Sequence, residues 1–404
     1  MEKVRVRLYY LTLILAFASV ALALFNSSTQ RECFYIAVYV SIIGLLIEYK
    51  RLSLHPFSIA LPVLLIGVLN LVWYFIFEIQ TEGINKYSDY LGASKKLILA
   101  SLLIFYIDRF KSYITKESFL KYFMFATATG LTLATSYGLW QASQGADRVM
   151  MAINRPTVSA YVYSALSLAF IYSLYLQQNK KLYVLAGVTL LLSWFVILLT
   201  GTRAAIGLYL ILAIVLTLFH FRKIHLKSLA VFFCIVAGIF VISYKPLIAP
   251  KIAQTQSEIA DYQKGQDSTS LGARFSMWII GIKNGNMHPL GQSIESREVW
   301  SKNYVQEGHP HLAASLQYIR IHLHNEFIEK YSLQGIPGLL LLLFFFISVI
   351  YYAIRNNNGL LLTTSLLLLL YGMTDVILLS SEAVLFFMTI FALSTPFTRT
   401  KEER

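Results

Sequence analysis

From Leu8 to Phe397 the chain alternates long apolar runs with short polar breaks. The runs fall at roughly 8–25, 33–48, 57–77, 97–108, 119–141, 157–176, 182–200, 204–220, 228–244, 336–354, 359–375 and 382–397, most of them near the ~20 residues a helix needs to cross the hydrocarbon core. None shows the in–out alternation of an outer-membrane strand. The pattern predicts an all-α polytopic membrane protein with about 12 transmembrane helices. The first run resembles a signal peptide, but no small-residue cleavage site precedes the polar stretch 26–32, so it reads as a retained span.

One connection departs from the rhythm of short breaks, the roughly 90 residues from Tyr244 to Gly335, and long connections of this kind are usually functional. The expected organisation is therefore helices one to nine in 1–244, a large loop in 245–335, and helices ten to twelve with a tail in 336–404. Pro246, Pro250, the polar tract 262–270 and the helix-like stretch 273–280 predict short amphipathic helices lying on the membrane surface.

Composition agrees with this class: 57% of the 404 residues are hydrophobic and only 14% charged, which no ordinary soluble domain matches. A net charge of +13 would suit nucleic acid, but the Lys and Arg residues sit in the short connections rather than on one amphipathic face. Lys3, Arg5 and Arg7, Lys50 and Arg51, Arg109, Lys111 and Lys116, Lys180 and Lys181, Arg222, Lys223 and Lys227, Arg355, and Arg399, Lys401 and Arg404 all fall on one side when the spans are threaded alternately. The positive-inside rule then places both termini in the cytoplasm and the long loop outside. Cys33 and Cys234 allow neither a disulfide framework nor a cysteine metal site.

Candidate chemistry concentrates at the outer boundary. Arg203 follows a very tight break between runs seven and eight, where a guanidinium costs roughly 2.5–3.5 kcal/mol if drawn into the membrane and is disfavoured by the positive-inside rule. It either snorkels to headgroups or anchors a phosphate or carboxylate through its planar fork. Arg274, in the amphipathic stretch 272–278, is either an interfacial cation beside Trp278 or a partner of Arg203 on a diphosphate. The stretch 322–338, HLHNEFIEKYSLQGIPG, read as a helix, puts His324 on one face with Phe327, Ile328 and Tyr331, and His322 about 200° away with Asn325, Glu326 and Glu329. On that reading the two imidazoles cannot share a metal, although His309 and His311 could contribute from an extended loop. His324 is either a satisfied helix-end histidine or a neutral base for a hydroxyl proton. Asp375 could orient an arginine or histidine, and Glu382 is a weaker candidate of the same kind. There is no phosphate-binding glycine loop, no nucleophile elbow and no Asp-x-Asp in the outer loops.

Taken in order, Thr200-Gly-Thr-Arg203, Arg274-Phe-Ser-Met-Trp278, His288-Pro-Leu-Gly291, His324-Asn325 and Gly335-Ile-Pro-Gly338 resemble the superfamily of O-antigen ligases and polymerases, and most closely the lipopolysaccharide O-antigen ligases of enteric Gram-negative bacteria. The resemblance implies a metal-independent, inverting glycosyltransferase of the lipid-carrier type without a cofactor, working at the periplasmic face of the inner membrane. Its donor would be O-antigen on undecaprenyl diphosphate and its acceptor a sugar hydroxyl of lipid A-core oligosaccharide. By matching positions, Arg203 and Arg274 would hold the diphosphate, His324 would act at the acceptor hydroxyl as base or orienting group, and Asp375 would support the site. Gln292 and Ser293 depart from the glycine-rich turn of many relatives, so 288–291 is not assigned to the site. An O-antigen polymerase with the same donor, a lipid-linked sugar transporter or flippase, and a membrane scaffold are the alternatives; a transporter would ordinarily show a midplane site and repeated halves.

Overall fold

The computed structural model describes residues 2–51, 58–78, 87–221, 238, 241 and 244–398. Among them the regular elements are all helical. In chain order the helices are α1 (Glu2–Leu22), α2 (Ser27–Ile47), α3 (Ala60–Phe77), α4 (Tyr87–Arg109), α5 (Lys116–Ser143), α6 (Pro156–Leu176), α7 (Lys180–Thr200), α8 (Arg203–His220), α9 (Ala249–Gln263), α10 (Ser270–Met287), α11 (Ile294–Gln306), α12 (Glu326–Arg355), α13 (Gly359–Gly372) and α14 (Ser381–Ser394). By length and composition α1 to α4, α6 to α8 and α12 qualify as membrane spans, and α13 and 381–397 are shorter apolar helices. The protein is thus a polytopic membrane protein. Helices coincide with each predicted run except 228–244, which lies almost wholly outside the described residues.

α6 is the axis of the bundle: 89% of its apolar window is buried among its neighbours. It is rich in Ser, Ala and Tyr, small and polar groups that let helices approach and bond across an apolar interior. Ser167 bonds both Tyr209 (2.7 Å) and Ser193 (2.8 Å), Tyr163 meets Thr135 at 2.7 Å, and Tyr371 donates to Ser164 at 3.2 Å. Each bond satisfies a polar group that hydrocarbon would leave unpaired. At one end of the bundle the basic connections meet: Arg5 and Arg51 both face the buried Glu48, and Lys111 bonds Asp108 at 3.1 Å.

The long connection holds more structure than the sequence predicts. The helical stretch expected over 273–280 extends across all of α10, and α10 with the segment 305–323 encloses a small core of its own around Met277, Ile280, Leu312, Ile319 and Leu323. α10 seats this core on α12, with Gly281 and Gly285 against Leu323, Ile328 and Tyr331.

α12 is two helical limbs joined at Gly335, whose φ of 62° and ψ of −154° only glycine adopts without strain. The break frees backbone groups that must find partners at the edge of the bundle. The 288–291 turn supplies them: Ile336 N–H donates to Pro289 O (2.8 Å), and Leu333 O accepts from Gln292 N–H (2.9 Å). The two glycine-containing motifs are thus halves of one joint. A Cβ at Gly335 would collide with the Pro289 carbonyl. Gly335→Ala is expected to destabilise the protein by at least about 1–3 kcal/mol, the ordinary cost of such a backbone conformation. A fall in the thermal midpoint of detergent-purified protein, followed by size-exclusion chromatography, checks this.

Candidate active site at the boundary of the bundle

The helical reading of 322–331 fails at its first residues. α12 starts only at Glu326, and Asn325 is its cap, accepting from Phe327 N–H (3.0 Å) and Ile328 N–H (3.2 Å). His324 before it is left-handed, with φ of 49°. This turn brings the two imidazoles together, ring centroids 4.3 Å apart, rather than on opposite faces. His324 Nδ1 lies 3.2 Å from Asp375 Oδ1, and Asn325 Nδ2 donates to Met373 O at 3.0 Å, so the loop after α13 is tied to the turn at two points. With Asp375 ionised, Nδ1 is the donor and Nε2 keeps its lone pair.

Burial alone would raise the Asp375 carboxyl, but the hydrogen bond from His324 and the charges of His322 and His324 hold it below the usual carboxylate range. Burial, then His324, lowers the basicity of His322. Ligand atoms of His322, His324 and Asp375 all lie within 4.8 Å of one another, so the steric argument against a shared cation falls with the helical reading.

The histidine turn is held from beneath by residues the sequence did not single out. Arg297, fully buried, donates to Glu329 Oε1 at 2.9 Å and to Ile319 O at 2.5 Å. Glu329, 1% exposed, accepts Leu323 N–H at 2.7 Å and the Tyr90 hydroxyl. The pair therefore clasps 319–323 from both sides. The next residue, Lys330, and Gln334 a turn beyond it both bond Asn70 of α3.

Of the predicted arginines, Arg203 opens α8 and makes a two-pronged pair with Glu258 of α9, Nη2 to Oε1 at 2.8 Å and Nη1 to Oε2 at 3.1 Å, with Thr255 Oγ1 at 3.0 Å. The hydrogen bond from Arg203 leads the influences that lower the Glu258 pKa. Beside this pair lies a cavity of about 250 Å³ walled largely by Ile206, Ile248 and Ile252. Arg274 projects half-buried from α10. Tyr161 links the arginine and histidine regions: its hydroxyl meets Thr374 Oγ1 at 3.2 Å, and it is within electrostatic reach of Asp375, Arg274 and Arg148. Glu382, in the first turn of α14, interacts with Lys96 instead.

Arg148 also escaped the sequence reading, although it carried the same signal as Arg203, a cation in a short connection on the side the positive-inside rule disfavours. Arg297 and Glu329 carried none, because their pairing spans helices distant in sequence.

The fold and site define a multi-pass membrane protein with a His–Asp pair and several arginines gathered where a helical loop module meets the bundle. Residues 188–343 match the O-antigen ligase family, and the chain is 28% identical over 341 residues to the O-antigen ligase of Escherichia coli strain K12, covering 81% of this chain and 79% of the relative. Both likenesses agree with the resemblance that the motifs carry. The matched region includes Arg203, Glu258, Arg274, His324 and the whole histidine clasp; Arg148 and Asp375 lie outside it.

Two outcomes are expected. Breaking the clasp with Arg297→Ala strands a buried carboxylate and should cost about 3–5 kcal/mol, read as a loss of folded, membrane-extracted protein. Because the His322 pKa is depressed, the unfolded chain takes up a proton below the ordinary value of 6.5 while the folded chain resists it. Stability should therefore fall as pH drops from ~7 to ~5, and His322→Gln should flatten that part of the thermal-midpoint profile.

Proposed function

We propose that this protein is an O-antigen ligase of lipopolysaccharide biosynthesis, a glycosyltransferase of the lipid-carrier type in the bacterial inner membrane. The donor is O-antigen polysaccharide on undecaprenyl diphosphate, and the acceptor is a sugar hydroxyl of lipid A-core oligosaccharide. Both termini lie in the cytoplasm and the 245–335 module on the periplasmic side, where both lipids present their sugars. The observation that carries this reading is the convergence, in a chain whose residues 188–343 match the O-antigen ligase family, of a carboxylate-oriented imidazole with arginines at the membrane boundary.

The chemistry follows from those groups. Arg203 and Arg274 hold the diphosphate and stabilise the negative charge that grows on its oxygen as the anomeric C–O bond breaks. The acceptor oxygen attacks the anomeric carbon from the opposite face, forming the new glycosidic bond with inversion, and its proton passes to His324 Nε2. Asp375 holds the imidazole in the tautomer this requires and stabilises the imidazolium that forms. Undecaprenyl diphosphate leaves. Charge stabilisation comes from guanidiniums, so the reaction proceeds without a metal.

In purified protein supplied with lipid diphosphate-linked glycan and lipid A-core, transfer should continue in EDTA with stoichiometric release of undecaprenyl diphosphate. Loss of transfer in EDTA, restored by a divalent cation, would assign His322, His324 and Asp375 to a metal instead. Longer glycan still on the lipid diphosphate would indicate a polymerase, and donor binding without a covalent product would indicate a transporter. Arg203→Ala, Arg274→Ala and His324→Ala should each lower transfer at least about 100-fold with the protein still inserted. Arg274→Lys should fail as well, since a point charge does not replace a planar fork.

A further inference from the structure

Arg148 lies on the connection between α5 and α6, and its side chain runs along the turn that presents Arg203. Nε donates to Thr200 O at 2.7 Å, and Nη2 donates to Thr202 Oγ1 at 3.2 Å. Gly201, left-handed at φ of 63°, leaves the guanidinium room to lie flat, since a Cβ there would sit 3.3 Å from Arg148 Nε. The backbone is tied too, Val149 N–H to Leu199 O at 3.1 Å. Among the described residues Nη1 makes no hydrogen bond. Glu258 Oε2, which takes Arg203 Nη1 at 3.1 Å, also accepts Leu271 N–H at 3.2 Å, so the start of α10, three residues before Arg274, is tied to the same turn. Burial first, and then the charges of Arg203 and Arg274, make the Arg148 cation harder to keep.

Their charges are not equally answered. Arg203 is matched by the Glu258 carboxylate. Asp375 is engaged by His324. Among the described residues Arg148 and Arg274 have no ion-pair partner, and Asp147, beside Arg148 in the chain, is exposed. Two half-buried like charges held together raise the energy of the empty site, and an anion between them removes that cost.

We propose that Arg148 is a third arginine of the substrate-anion site, gripping one phosphoryl group of the donor diphosphate while Arg274 grips the other. Arg203, whose charge Glu258 already answers, meets the diphosphate from the edge of the site beside the apolar cavity. This rests on the lipid-diphosphate donor proposed above. It also gives the site a preference: two uncompensated guanidiniums suit a diphosphate, whereas a monophosphate engages only one of them.

The test uses full-length protein in lipid nanodiscs with polyprenyl diphosphate and polyprenyl monophosphate as probes. Wild type should bind the diphosphate more tightly, and Arg148→Gln should lose about tenfold in diphosphate affinity with less than about threefold change for the monophosphate. Unchanged diphosphate affinity in folded Arg148→Gln overturns the proposal. Because Arg148 also braces the α7–α8 turn, a second measurement needs no variant: polyprenyl diphosphate should protect both Arg148 and Arg274 of the wild type from phenylglyoxal, read by peptide mass spectrometry. Protection of Arg274 without Arg148 overturns the role of Arg148 and leaves the donor standing. Protection of neither, together with no glycan transfer, removes the diphosphate donor itself.

Discussion

A fully buried guanidinium bonded to an almost fully buried carboxylate, Arg297 on Glu329, is the contact on which the rest of the boundary region depends. Neither charge is tolerable alone in such surroundings, so α11 and the first limb of α12 must stay together. Besides the Tyr90 hydroxyl on Glu329, their bonds go to the backbone of Ile319 and Leu323, in the stretch of chain leading into His324. A histidine in a left-handed turn is mobile unless its flanks are fixed. Here the clasp fixes one flank and the Asn325 cap the other.

The break in α12 serves the same end by different means. An unbroken helix would hold the charged limb on the axis of the apolar one. Gly335 turns it instead, and the 288–291 turn takes up the backbone groups that the break exposes. Loop module and bundle are therefore joined by main-chain bonds as well as by charge, and α10, which bears Arg274, is held in place relative to α8, which bears Arg203. Glu258 adds a third connection from α9. Polar groups at this depth are costly, and nearly all of those described above act in joining two elements or in presenting a charge.

Much of this was legible in order along the chain and little of it in space. Apolar run length and basic connections gave the helices, since crossing a bilayer demands a fixed length of helix whatever its neighbours. Arg203, Arg274, His324 and Asp375 stood out because charge near hydrocarbon is expensive. Helical periodicity carried through Asn325 sets the two histidines on opposite faces, whereas the Asn325 side chain caps the helix and does not continue it. Arg148 carries the same signal in sequence as Arg203, a cation in a short connection between apolar runs.

The sequence by itself determined the class of protein, the long connection, the candidate residues and the family resemblance, because each of these follows from local composition, spacing or motif. Only the tertiary structure decided that His322 and His324 adjoin, that Asp375 belongs to His324, that Arg203 is already matched by Glu258 while Arg148 and Arg274 are not, and that Arg297 and Glu329 hold the turn. Pairing is a property of distance in space, and the partners here lie on separate helices whose relative placement is set by packing and by the cost of leaving a buried charge alone.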